Sequence, residues 1–339
     1  MKKVAITIFL LSLTLVGCTS TLPLEEEVFT NDFFAMDTIM TVTTYGPHGQ
    51  EALESAIAEI ERIESLFSTN IVTSDIAKIN QNKTQVVSAE TFDLLQLSIE
   101  LYEETNGSFD IAIFPIVKAW GFTTDTHQIP DAETLNQLLE HTKATDIILD
   151  IETSTVTIPP EMELGLGGIV KGYTSQRVME IFKEKGVTSG IVNLGGNVQA
   201  LGQRPDGTPW NVAIKDPLGI SDYIGYVSVT ESAVITSGPY ERYFEQGGKT
   251  YHHLINPRTG YPAENELASV TIISENGTTA DALTKLFVLG LDEAINYCQT
   301  HADEISAIFV TKDKTIYITD NLKNIFTLQT EEYKLEIIP

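Results

Sequence analysis

The chain has 339 residues, 42% of them hydrophobic, with 47 acidic against 21 basic side chains and a formal net charge of −26 at pH 7. So acidic a surface repels nucleic acid and anionic lipid, and any phosphate it binds needs local positive charge or a metal. The length suits one compact unit with at most two closely packed lobes, and neither an internal repeat nor a long low-complexity stretch divides it.

The chain begins MKKVAITIFLLSLTLVGCTS: two lysines, an apolar run from Val4 to Val16, then Gly17 and Cys18. That is the pattern of a secretory signal, shorter than the ~20 residues of a stable membrane span. Leu15-Val16-Gly17-Cys18 resembles the lipobox of bacterial lipoproteins. The resemblance implies that residues 1–17 are removed and that Cys18 becomes a lipid anchor at the cell membrane, facing outside the cytoplasm. A plain cleaved signal with an incidental cysteine is the alternative. Residues 18–31 read as a polar tether and 32–339 as the folded domain. Cys298, the other cysteine, lies in a helical pattern where a buried structural thiol is expected rather than a nucleophile.

After the tether, AMDTIMTVTTYG alternates as a strand ending at Gly46. Leu53, Ile57, Ile60, Ile63 and Phe67 then recur at helical spacing. A second helix is expected from an N-cap at Ser88 to Asn106-Gly107, a third over 131–142, a fourth over 171–186 and a last from Thr279 to about Leu289. Between them, residues 146–159, 189–202, 210–217, 223–236, 249–256 and 267–274 are strand-like, and a hairpin around Asp313-Lys314 closes the chain. Short turns join most strands, which predicts an α+β fold with mixed, mainly antiparallel sheets and packed helices rather than a doubly wound parallel sheet.

Four segments can carry chemistry. GLGGIVKG, residues 165–172, runs into a helix, so its backbone N–H groups can meet an anion beside Lys171, or it is simply a tight packing turn. GSFDIAIFPIVKAWGF, residues 107–122, sets Asp110 beside Phe109, placing a polar group near aromatic walls or near core. In TTADALTKLFVLG, Asp281 and Thr284 stand three apart, suited to an oxygen-liganded magnesium or to an ordinary capped helix start. HHLINPRTGYP, residues 252–262, places two of the chain's six histidines before Arg258 in a loop with turn chemistry of its own.

Together with AMDT, NLGGNVQALG, WNVAIKDP and ITSGPYERYF, these segments resemble the signature of the ApbE family of flavin transferases, from about Phe33 to beyond Gly290. The resemblance implies a single compact ApbE-like unit related to the T-fold. It also implies FAD as substrate, Mg2+ as cofactor, and transfer of FMN to a threonine hydroxyl of an exported or membrane-bound acceptor with release of AMP. By the same resemblance, Met36, Ser108, Phe109, Asp110, Lys171 and Ile255 bind the flavin nucleotide; Asn70, near the mouth, is expected with the cofactor-binding residues, where it sets access for water or protein. The Gly168 backbone, Asp281 and Thr284 hold the metal, and His253 is the base, with Arg258 structural or steering phosphate. His252 is expected on the opposite face of its strand from His253.

Two residues depart from the family pattern. Gly165 stands where an aspartate belongs, and Lys285 takes the place, four residues after Asp281, of the second metal-binding threonine. A Mg-dependent FAD pyrophosphatase and a non-catalytic surface FAD-binding lipoprotein are the alternatives.

Overall fold

The structure, a computed structural model, describes residues 27–124 and 126–338; the expected leader, Cys18 and the first part of the expected tether lie outside them. Nine strands form the central sheet, in the spatial order Val28–Ala35, Thr38–Tyr45, Gly190–Leu194, Asn197–Leu201, Ala233–Ser237, Leu267–Ser274, Ser306–Thr311, Thr315–Thr319 and Lys334–Ile338. Neighbours are antiparallel except the last two, which run parallel. This is the expected α+β architecture, folded as one unit.

Strand alternation sends successive residues to opposite cores. Ala233, Ile235, Ala307 and Phe309 face a core shared with helices, while Val234, Ile308 and Val310 face a core closed by a small sheet of Trp210–Lys215, Tyr223–Val229 and Phe326–Leu328. Leu267–Ser274 is buried along its whole length because both faces are covered.

The helices are α1 (Gly49–Phe67), α2 (Asp75–Asn82), α3 (Ala89–Glu104), α4 (Phe114–Ala119), α5 (Ala132–Leu139), α6 (Val170–Glu184), α7 (Gly277–Leu283) and α8 (Leu291–Thr300). None of the described helices is long and apolar enough to cross a membrane. Ser88 caps α3 as expected, accepting from the Thr91 N–H at 3.1 Å. Cys298 on α8 is fully buried, and burial pushes its thiol up to about 12.

The structure corrects several boundaries. The strand expected from Ala35 is the second arm of a hairpin whose first arm, Val28–Ala35, takes in the last four residues of the expected tether. Its turn residues Met36 and Asp37 have φ of 47° and 59°, the left-handed pair that matches strand twist in a two-residue hairpin. Helices α2 and α4 were not evident from periodicity because each is barely two turns long. The last expected helix starts earlier, with Asn276 rather than Thr279 as N-cap, and turns to 3-10 geometry over Thr284–Leu289.

One contact fixes where α6 meets α7. A Cβ on Gly172 would lie 2.1 Å from the Gly277 carbonyl oxygen and 2.5 Å from Asp281 Cβ, so the two helices approach backbone to backbone. A Gly172→Ala variant is expected to lose about 1–3 kcal/mol of stability in urea melts. Gly167→Ala, made where nothing lies within 4 Å of an added Cβ, serves as the neutral control.

Candidate active site

The α6–α7 approach puts the Gly172 N–H 2.9 Å from Asp281 Oδ2, so α6 orients this buried carboxylate. The Thr284 hydroxyl donates to the Asp281 carbonyl at 2.7 Å and accepts from Ser237 Oγ at 2.8 Å and from Lys285 Nζ at 2.9 Å. Lys285 Nζ also lies 3.2 Å from the Asp281 carbonyl and 3.6 Å from Asp281 Oδ1. The two expected metal ligands therefore meet, and an ammonium lies between them.

The glycine-rich segment closes over this point. A Cβ on Gly168 would lie 3.3 Å from Lys285 Cε and 3.3 Å from the Phe109 ring, so the backbone there lies against both side chains. A Cβ on Gly165 would be 2.6 Å from the Phe114 ring, which fills the space a side chain at 165 would need. Lys171, in the first turn of α6, sits close enough to Lys285 to help depress its pKa, after burial as the largest cause, while Asp281 and Glu241 oppose the shift. Glu241 is exposed at the surface, and partial desolvation of its carboxyl raises its pKa against the pull of Lys171, Lys285, Arg242 and Lys215. On a chain this acidic, four cations facing two carboxylates form a local positive patch suited to a pyrophosphate.

The histidine loop borders that patch. His253 is half-buried; its backbone N–H and its ring Nδ1 both lie within hydrogen-bond reach of the Arg242 carbonyl, at 3.1 and 3.2 Å. A carbonyl only accepts, so Nδ1 carries the proton and Nε2 keeps its lone pair. Burial, then the charges of Arg242 and Lys285, lower the pKa to about 3, leaving the ring neutral at pH 7. His252 is buried and takes the other tautomer, its Nε2–H donating to the Ala263 carbonyl at 3.1 Å. The strand ends at His252, yet the two rings do differ in surroundings and in protonated nitrogen.

The loop is both turn and site border. The Asn256 carbonyl accepts from the Gly260 N–H at 2.8 Å, Trp120 Nε1–H donates to the Gly260 carbonyl at 2.8 Å, and Arg258 Nη2 donates to the Asn106 carbonyl at 2.9 Å. Arg258 thus ties the loop to the segment carrying Ser108, Phe109 and Asp110. In that segment Ser108 Oγ and Asp110 Oδ2 are buried without a hydrogen-bond partner, and Asp110 Oδ1 accepts from the Ala112 N–H at 2.8 Å. Burial raises the Asp110 carboxyl to about 7.

The remaining expectations separate. Met36 lies at the hairpin turn with its N–H on Glu64 Oε1 and its sulfur 3.8 Å from Thr174 Oγ1 of α6, one turn beyond Lys171. Ile255 is packed with Ile116, Trp120 and Leu135 in a small satellite core. Asn70 is exposed on the loop after α1, its N–H on Ser68 Oγ. Ser237, Glu241 and Arg242 were missed as individuals, although the segment carrying them, ITSGPYERYF, was among those quoted for the resemblance.

A family model described as the ApbE family matches residues 36–309. A curated FAD:protein FMN transferase of Klebsiella pneumoniae is 38% identical over 276 residues, which are 79% of this chain and 85% of that protein. The crystal structure of an ApbE protein of Thermotoga maritima superposes with a TM-score of 0.83 at 31% identity, over 88% of this chain and 99% of that one. The apo flavinyl transferase ApbE of Pseudomonas stutzeri gives 0.80 at 26%, over 91% and 99%.

Asp110 supplies a test of the electrostatics. Its folded-state pKa is raised, so its contribution to stability is present below the unfolded value of 3.8 and is lost as pH rises through about 7. Asp110→Asn is expected to raise the melting temperature at pH 8. The difference should vanish near pH 4 when both proteins are melted across that range.

Proposed function

The chain belongs to the ApbE family, and from that premise we propose that it moves the FMN half of FAD onto a threonine hydroxyl of an exported or membrane-bound acceptor protein. The carrying observation is the His253 tautomer: a neutral ring, proton fixed on Nδ1, beside a cluster of cations. His253 Nε2 takes the hydroxyl proton as the threonine oxygen bonds to the FMN phosphorus. The bond from that phosphorus to the bridging oxygen breaks, and AMP leaves with the bridging oxygen and its electron pair. Lys171, Arg242 and Lys285 offset the negative charge that gathers on the phosphates, the largest demand in such a transfer.

The pocket walls follow from the same placement. Phe109 lies against Gly168, and Met36 packs beside α6. Ser108 and Asp110 hold unpartnered oxygens that suit the polar edge of a heterocycle, because a buried polar atom left unpaired costs about 1–3 kcal/mol until a ligand satisfies it.

Magnesium, implied by the resemblance, requires near-octahedral oxygen ligands at about 2.0–2.1 Å. Lys285 Nζ lies 2.9 Å from Thr284 Oγ1 and 3.6 Å from Asp281 Oδ1, the side-chain oxygens that would supply them, and the Thr284 hydroxyl has its proton and both lone pairs engaged. The residues as arranged do not fit a divalent ion, and no step above passes through one.

The leader and Cys18 support an acceptor on the outer face of the cell membrane. Cys18→Ser is expected to move the protein from the detergent to the aqueous phase on detergent partitioning. The reaction itself is tested by incubating the protein with FAD and a threonine-bearing acceptor domain, with mass spectrometry of the acceptor and chromatography of the nucleotides. Transfer adds one FMN less water to the acceptor and releases AMP; free FMN with unmodified acceptor marks a pyrophosphatase, and intact FAD a binding protein. His253→Ala is expected to lower transfer about 100- to 10,000-fold while FAD affinity, read by fluorescence, stays near the parent's.

A further inference from the structure

We infer that the Lys285 ammonium is the resident cation of this site and replaces a divalent metal, so that the enzyme turns over without magnesium; the inference rests on the transferase reading above. Its ground is geometry. Nζ lies 2.9 Å from Thr284 Oγ1 and 3.6 Å from Asp281 Oδ1, the side-chain oxygens the resemblance assigns to the metal, and 3.2 Å from the Asp281 backbone carbonyl. Two of these contacts are hydrogen bonds and the third an ion pair, which leaves one of the three ammonium protons for a phosphate oxygen.

The surroundings keep the amine in place. Asp281 Oδ2 is committed to the Gly172 N–H and the Thr284 hydroxyl to Ser237 and Asp281, so neither ligand turns away without breaking a buried hydrogen bond. Lys285 Cε lies against the Gly168 backbone, and its side chain is 19% exposed. Lys171 and Glu241 are the charged groups that act on it besides Asp281.

Charge balance argues the same way. One carboxylate balances one ammonium, whereas a dication added beside Lys285 leaves two positive charges in excess. Position 165, where the resemblance places an aspartate, is a glycine, and the Phe114 ring occupies the space a side chain there would take. A lysine is a compact point charge that neutralises a phosphate oxygen without an ordered water shell, and it performs that part of the metal's work at a fixed position.

The test uses the full chain and Mn2+ as a spectroscopic stand-in for Mg2+. In an EPR titration the parent is expected to leave Mn2+ free, while Lys285→Thr, which restores a hydroxyl four residues after Asp281, is expected to bind one Mn2+ per chain. In parallel, AMP release from FAD with acceptor is followed in EDTA and in Mg2+. The parent is expected to run equally in both; Lys285→Thr is expected to lose about 100-fold in EDTA and to regain activity with Mg2+. Stoichiometric Mn2+ binding by the parent, abolished by Asp281→Ala, would overturn the inference, as would loss of the parent's activity in EDTA. Absence of AMP release in both media would reject the transferase reading instead, and the EPR titration of the parent would still decide what Lys285 does.

Discussion

The site depends on the bond from the Gly172 N–H to the Asp281 carboxylate. It forms because Gly172 and Gly277 let α6 and α7 touch backbone to backbone. That single approach aligns three things: the glycine-rich turn before α6, the carboxylate in the second half of α7, and the switch to 3-10 geometry that brings Thr284 and Lys285 together. Any side chain at either glycine drives the helices apart and separates them. A hydrogen bond inside the packed interface thereby sets the spacing of the charges around it.

Around that bond the chain reverses its own electrostatic character. The body carries a large negative charge, yet Lys171, Lys215, Arg242 and Lys285 gather about Glu241 and Asp281. Long-range repulsion of anions is screened within about 8–10 Å at physiological salt, so a short-range cluster suffices to hold a pyrophosphate. The same cluster helps keep the His253 ring neutral, which makes it a proton acceptor at neutral pH.

Much of this was legible in the residues. Alternation and helical spacing pointed to the architecture, and the motif set pointed to the family. Short elements were hidden: α2 and α4 hold too few turns for a periodic signal to rise above chance, and the first arm of the opening hairpin has a mostly exposed face that reads as polar tether. Ile255, which the resemblance puts at the flavin, follows the end of the strand at His252 and packs in the Trp120 cluster. The spacing of Asp281, Thr284 and Lys285 was visible in the letters. Where the lysine head goes was not, since a four-carbon stem can point out to solvent as readily as back along the helix.

The contact between Gly165 and Phe114 bears on how such a site can change over generations. A carboxylate at 165 meets an aromatic ring already in its space, and shrinking residue 114 alone opens a void beside the glycine turn. Each change is harmful by itself and tolerable with the other, so the two positions are epistatic, and an aspartate at 165 requires a smaller residue 114 beside it.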